Sequence, residues 1–291
     1  MIKRIFQIFV IILLIILFSF VVWAGKRKEV YREVDLKDEK SLRVRIEFGA
    51  GELNLNRSDS KKIVEAEVSY DPAYADFFFD YEKSKGEGEL FLGTELEEEK
   101  GVNLGDVKEK NWWDLSFTDE IPIDFEIDVG AAESELDFTG LRIMGLDLDI
   151  GAAKGLIQFR KPNPEKISLF NIDVGASKIE MEGLGNANFE RMSFDGGVGD
   201  FTLDFSGEFE HRAYVEIDVG LGSLDILVPK HAGVQIRSES SFLSSFSIDK
   251  RDFDEIEDDL YESDNFGESK KELIFDIEVG LGSVEVEVID R

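Results

Sequence analysis

A glycine that returns six times constrains this chain more than any other feature. Gly130, Gly151, Gly175, Gly197, Gly220 and Gly280 are separated by 21, 24, 22, 23 and then 60 residues. Five residues before each stand Phe125, Leu146, Phe170, Met192, Val215 and Phe275, and three before stand Ile127, Leu148, Ile172, Phe194, Ile217 and Ile277. Six after stand Leu136, Ile157, Met181, Leu203, Ile226 and Val286. The position two before the glycine is acidic every time: Asp128, Asp149, Asp173, Asp195, Asp218 and Glu278. Such alternation is the period-2 signature of strands with one buried face. Each unit reads as two short strands flanking a tight corner. The corner holds Ala131-Ala132, Ala152-Ala153 and Ala176-Ser177, and later Gly199, Gly222 and Gly282. Glycine at a corner admits the positive φ that a sharp bend often needs.

A unit this short cannot bury its own apolar face, so neighbouring units must cover one another. The matching columns predict an all-β fold: a single-chain β-solenoid (parallel β-helix-like) of roughly 22-residue coils. Ladders of Ile and Leu at a spacing of about 4.8 Å would then fill its interior, joined by stacked rings such as Phe138 and Phe159. Spacing alone leaves one alternative open, an antiparallel β-sandwich or meander with each corner a hairpin turn.

Three regions follow. Residues 1–24 form a hydrophobic leader, 29–112 an N-terminal β region, and 113–291 the solenoid repeat domain. Val44-Arg45-Ile46-Glu47-Phe48-Gly49 is an early copy of the repeat, while 95–110 reads as a charged loop. Between Gly220 and Gly280 one Ser-rich degenerate coil fits around Ile236 and Ile248. An acidic excursion, 251–272, follows it and reads as a surface segment rather than a strand.

Residues 5–23 make an apolar run from Ile5 to its last residue, Trp23, broken only by Gln7 and Ser19. As a helix it is just long enough to cross a bilayer core. Lys3 and Arg4 precede it, and Trp23 sits where an interfacial aromatic belongs. Val22-Trp23-Ala24 before Gly25 also has the small residues of a signal cleavage site. A retained anchor is favoured over a cleaved signal, and the body is placed outside the cytoplasm.

The charge balance excludes one partner class. With 63 acidic against 33 basic residues and a net charge of −30, the surface repels phosphate backbones, so no nucleic acid is expected. Absence of Cys removes disulfides, thiolate metal sites and thiol catalysis. Only His211 and His231 are present, which rules out a multi-histidine metal site, and neither has a Ser or Asp motif nearby. The residues with chemical promise are the column Asp128, Asp149, Asp173, Asp195 and Asp218. Stacked carboxylates repel, and calcium relieves such repulsion where it binds. Gly196-Gly197-Val198-Gly199-Asp200 fails in detail as a calcium repeat, so the column reads first as hydrated surface. Trp112-Trp113 and Phe77-Phe78-Phe79 read as core or cap filling rather than as a recognition patch.

Several motifs in order carry a family resemblance. They are Trp113-Asp114-Leu115 leading to Ile121-Pro122, "FEIDVGAAESELDFTGL" from Phe125, and "NIDVGASKIEMEGLGNANFE" from Asn171. "GGVGDFTLDFSG" from Gly196, "VEIDVGLGSLDILVP" from Val215, "YESDNF" from Tyr261 and the closing "IEVGLGSVEV" complete the series. The chain resembles the toast-rack family of bacterial envelope proteins, relatives of the LiaF-like C-terminal domain and of adhesin β-repeat domains. The resemblance runs from Val30 to Val288 and implies a β-solenoid body, an envelope location and no catalytic residues. LiaF-like relatives restrain an envelope-stress histidine kinase but carry a multi-helix membrane part, whereas this chain has one hydrophobic segment.

The expected function is thus a non-enzymatic scaffold, exported or membrane-anchored, that binds an envelope protein or polymer and needs no cofactor. The alternatives are a LiaF-like kinase regulator and, on fold analogy alone, an enzyme built on a β-helix.

Overall fold

The computed structural model describes residues 27–73, 75–96, 111–240 and 244–290. The apolar run 5–23 and nearly all of the 95–110 loop lie outside the described residues. Among the described residues no helix is long and apolar enough to cross a membrane. The described chain is all-β, with a single short 3-10 turn at Leu184–Ala187. In the first part run β1 (Lys28–Asp35), β2 (Ser41–Arg57), β3 (Lys62–Tyr70), β4 (Ala75–Ser84), β5 (Glu87–Leu96) and β6 (Trp112–Phe117). The regular repeat occupies β7 (Ile123–Asp137), β8 (Ile143–Ile150), β9 (Lys154–Gln158), β10 (Phe170–Glu182), β11 (Arg191–Asp204) and β12 (Arg212–Pro229). Last come β13 (Gly233–Ser240), β14 (Ser244–Ile248), β15 (Phe253–Glu257), β16 (Leu260–Ser263) and β17 (Glu272–Ile289).

Pairing within the repeat is parallel, which removes the antiparallel meander as a description of it. β7 pairs with β8 and β9, these with β10, then β10 with β11 and β11 with β12. The register reproduces the sequence columns. Ile127 lies opposite Leu148, Leu148 opposite Ile172, Ile172 opposite Phe194, and Phe194 opposite Ile217. All five side chains are buried. Antiparallel pairs are confined to the margins, where β1 joins β3, β3 joins β6, β4 joins β5, and β16 joins β13 and β15.

A single strand passes through most corners of the repeat, as in β7, β10, β11, β12 and β17, while at Gly151 the strand breaks between β8 and β9. In β7, Val129 is buried, Gly130 and Ala131 both turn outward, and Ala132 is buried again. Two successive outward residues reset the alternation, so both arms of the unit present apolar side chains to one interior. The column glycines are needed here for closeness rather than for positive φ. A Cβ on Gly130 would sit 2.3 Å from the carbonyl oxygen of Gly49, and one on Gly175 would sit 2.5 Å from that of Gly151. Positive φ does occur two residues later, at Gly222 (145°) and Gly282 (144°).

The spatial order departs from the sequence order at both margins. β17 pairs in parallel with β12 on one side and with β13 and β14 on the other. The degenerate coil thus lies one layer beyond the strand that follows it in sequence. This explains the 60-residue gap: the chain leaves β12, skips a layer, and returns to fill it. At the other margin β2 is likewise held between β7 and the pair β5 and β6. The acidic excursion is a hairpin, β15 and β16, rather than strandless surface. Its buried Phe253 and the pairing of Ile236 with Tyr261 tie it to β13 despite its charge.

Aromatic rings run through the interior as a connected series. Phe117, Phe125, Phe138, Phe159, Phe170 and Phe189 follow one another with centroids 5.0, 5.6, 5.4, 6.1 and 5.3 Å apart. Trp113 is fully buried and packs edge-on against Phe48 and Phe77, so the Trp112-Trp113 and Phe77 signals belong in part to the core. Buried asparagines satisfy the turns between units. Asn163 donates to the carbonyls of Ile143 and Ala187, and Asn186 donates to that of Phe159. Among the described residues every buried side-chain polar atom has a partner. Such satisfaction is what fixes one register for a long sheet.

Candidate functional site

The outward face before the corner carries the most ordered chemistry in the molecule. Glu47, Asp128, Asp149, Asp173, Asp195, Asp218 and Glu278 occupy one column, each opposite the next across seven strands. The five aspartates singled out from the sequence are thus brought together in register. Glu47 extends the column because β2 lies directly against β7. Alternation forces this arrangement: with Ile127 and Val129 turned inward, Asp128 between them turns outward.

Burial first and neighbouring charge second raise the pKa of two members of the column. Burial pushes Asp128 above the usual carboxylate range, and the charges of Asp149 and Glu47 push it further. Burial likewise raises Asp195, followed by Asp173 and Asp218 beside it. Asp147, one position along β8, is raised by burial and then by Glu126 and Asp173. Parallel strands hold the carboxylates in a row about 4.8 Å apart rather than around a point. Among the described residues no three acidic or histidine side chains converge as metal ligands would.

Two arginines stand at the β2 end of this face. Arg45 pairs with Glu47 and Glu126 and lies over the Phe91 ring, while Arg43 reaches Glu87 and Asp124. They border an open groove of about 580 Å³ between β2 and the β4–β5 hairpin. A second groove of about 450 Å³ lies on the face after the corner, where Glu133, Glu135 and Glu180 mix with Lys154 and Lys178. Neither groove holds a histidine or a serine set beside a base. His211 contacts the Phe189 carbonyl at 2.6 Å and His231 lies near the Phe209 ring.

Sequence reasoning missed the buried carboxylates, of which Glu39 has a strongly shifted pKa. Glu39 accepts hydrogen bonds from the Lys37 amide at 2.7 Å and the Tyr81 hydroxyl at 3.1 Å, with Lys83 Nζ 3.2 Å away. Burial alone would raise its pKa. The amides of Lys37 and Glu39, with Lys83 and Tyr81, outweigh burial and hold the carboxyl at about 2. Beyond the local amides, its side-chain partners Tyr81 and Lys83 come from the distant strand β4. Glu272, also buried, accepts a hydrogen bond from Arg212 Nε at 2.6 Å.

This geometry defines a class: a parallel β-repeat protein whose charged columns face outward over an apolar interior. Residues 23–169 match the family model described as N-terminal domain of toast_rack, DUF2154. Residues 178–286 match that described as cell wall-active antibiotics response LiaF, C-terminal. The first match alone covers half of the chain, and the chain belongs to the toast-rack family, related to LiaF-like C-terminal domains. Among solved structures it is similar to a candidate cell adhesion protein from Clostridium sporogenes. Identity there is 19% and the TM-score 0.44, over 91% of this chain and 100% of that one. A candidate adhesin from Bacteroides fragilis is 13% identical with a TM-score of 0.36, over 90% and 99% of the two chains. A candidate lipid binding protein from Parabacteroides distasonis is 12% identical with a TM-score of 0.30, over 91% and 98%. These likenesses are too distant to carry a functional argument. No curated protein matches the chain.

Proposed function

We propose that this chain is a non-enzymatic cell-envelope protein, an exported or membrane-anchored β-solenoid scaffold that works by binding another envelope component. The observation that carries this reading is the register: seven outward carboxylates in one column, repeated at strand spacing along the stack. A surface of that kind suits multipoint attachment and offers a reacting group no enclosed site. Membership of the toast-rack family, with its LiaF-related second half, supports the envelope location. The apolar run 5–23 serves either as a retained tether or as a signal removed on export.

Cell fractionation with crosslinking tests the reading. A tagged chain recovered with membranes or in the exported fraction, crosslinked to wall polymer or surface proteins, is the expected result. Accumulation of the whole body in the cytosol would overturn it. The match of residues 178–286 favours a second reading, regulation of an envelope-stress histidine kinase. Crosslinking to a sensor kinase rather than to wall material selects that one.

A further inference from the structure

The corner of the stack carries an apolar keel that packing does not require. In β11, β12 and β17 the column glycine is followed by a large aliphatic residue and then by glycine again: Gly197-Val198-Gly199, Gly220-Leu221-Gly222 and Gly280-Leu281-Gly282. Register sets Val198 opposite Leu221 and Leu221 opposite Leu281. Their exposures are 51%, 44% and 43%, whereas the aliphatic columns to either side are fully buried. In the earlier coils the same position is filled by Ala131, Ala152 and Ala176, so the fold closes its corner without bulk there. The flanking glycines add no side chains of their own beside the three.

The surroundings decide what fits. Three residues before each keel residue stand Asp195, Asp218 and Glu278, a row of carboxylates about 10 Å from the keel at strand rise. None of the three forms a salt bridge among the described residues. A second copy of this chain would bring its own acidic row against this one, at a net charge of −30 per chain. An anionic lipid surface meets the same repulsion. A cationic partner gains from the row and from the keel together. The spacing also selects a shape: rungs rise about 4.8 Å, while one face of an α-helix repeats about every 5.4 Å. An extended strand laid along the keel repeats at about 6.8 Å and falls out of step by the third rung.

We propose that the keel of Val198, Leu221 and Leu281, with the row Asp195, Asp218 and Glu278, docks a cationic amphipathic helix of about three turns. Its apolar stripe lies on the keel and its Lys or Arg side chains reach the carboxylates. This deepens the binding-module reading by naming a surface and a partner chemistry. Its test uses purified protein, so it succeeds or fails independently of where the chain resides in the cell.

The probe is a synthetic 18-residue Leu/Lys peptide patterned as an amphipathic helix, titrated into the full chain near 0.15 M salt and followed by fluorescence anisotropy. The comparison probes are a scrambled peptide of the same composition and an oligolysine of the same charge. Binding of the patterned peptide should weaken about tenfold or more in Val198→Ser/Leu221→Ser/Leu281→Ser and likewise in Asp195→Asn/Asp218→Asn/Glu278→Gln. Glu133→Gln/Glu135→Gln/Glu180→Gln, on the other face, should leave it unchanged. The keel positions are exposed, so melting curves of the serine variant should overlay those of the parent. Equal binding of the scrambled peptide or oligolysine, or a keel variant that binds like the parent, would overturn the proposal. Absence of binding by the parent would do the same.

Discussion

Replacing Gly175 with alanine should be costly, while the same change at Gly49 should not. Both glycines occupy the same column of the repeat, so sequence alone treats them as equivalent. At Gly175 an added Cβ would lie 2.5 Å from the carbonyl oxygen of Gly151, where ordinary contact begins near 3.4 Å. The deficit is about 0.9 Å, and the offended atom is backbone held in the sheet. That same oxygen accepts the hydrogen bond of the Ala176 amide at 2.8 Å. Relief therefore requires either two layers to part or that bond to lengthen. Overpacking costs about 1–3 kcal/mol and a weakened ladder bond about 1 more, so Gly175→Ala should lose about 2–4 kcal/mol. At Gly49 the nearest atom to an added Cβ is Thr94 Oγ1 at 3.6 Å, an ordinary contact. Gly49→Ala should be neutral or gain up to about 1 kcal/mol through the unfolded chain. In thermal melts followed by circular dichroism, the first variant should fall by about 5–15 °C and the second should match or exceed the parent. Equal midpoints for the two, or a larger loss at Gly49, would refute the claim that carbonyl proximity dictates these glycines.

Four further outcomes are expected. Ile172→Asp should cost more than about 3 kcal/mol, because an unpaired charge would sit between Leu148 and Phe194, whereas Asp173→Asn should stay within about 0.5 kcal/mol; matched chemical denaturation curves compare them. The acid limb of stability should depend on Glu39: its folded pKa of about 2 lies below the ordinary 4.5, so its contribution is present above the ordinary value and lost as pH falls toward 2. That contribution is about 3 kcal/mol at neutral pH, and Glu39→Gln should melt earlier at pH 7 but converge with the parent near pH 2. Asp195 works in the opposite sense: its raised pKa means that the folded state binds the proton more readily, so stability carried by its neutral form is lost as pH rises through the folded pKa. Asp195→Asn should therefore melt slightly later than the parent at pH 7, with the difference vanishing in acid. Because the carboxylates form a row rather than a ligand cluster, millimolar calcium should move the midpoint no more than magnesium does.

The in–out assignment of the repeat was legible because alternation needs no partner to be read. Ile127, Leu148 and Ile172 face inward wherever their strands are placed, and Asp128, Asp149 and Asp173 follow as their complements. Neighbour order was not legible at the margins. The motif around Gly280 is indistinguishable from the others, yet β17 sits between β12 and the earlier-made β13. The reason for the column glycines was also hidden, since corner residues suggest positive φ and only pairing reveals the approaching carbonyl. The acidic hairpin was misread because its charge outweighed the single apolar anchor Phe253. Glu39 could not be found, because its burial and its partners Tyr81 and Lys83 are brought from β4 by tertiary structure and only the amides of Lys37 and Glu39 are local. The keel lay in plain sight as Gly-Leu-Gly, but only register shows that its members form one line.

The position of β17 gives the molecule a mechanical character. Seventeen residues of this strand align with β12 on one flank, and β13 and β14 grip the other. Parallel neighbours loaded along their length resist in shear, with many hydrogen bonds strained together rather than parted one by one. A tug on β17 would have to slide it from between two layers, so the stack cannot be peeled coil by coil from that side. In the chain the layer beyond β17 comes first, and β17 follows it to lie between that layer and β12. The outermost coil is thus fastened by a strand beneath it, as a lockstitch holds its last loop.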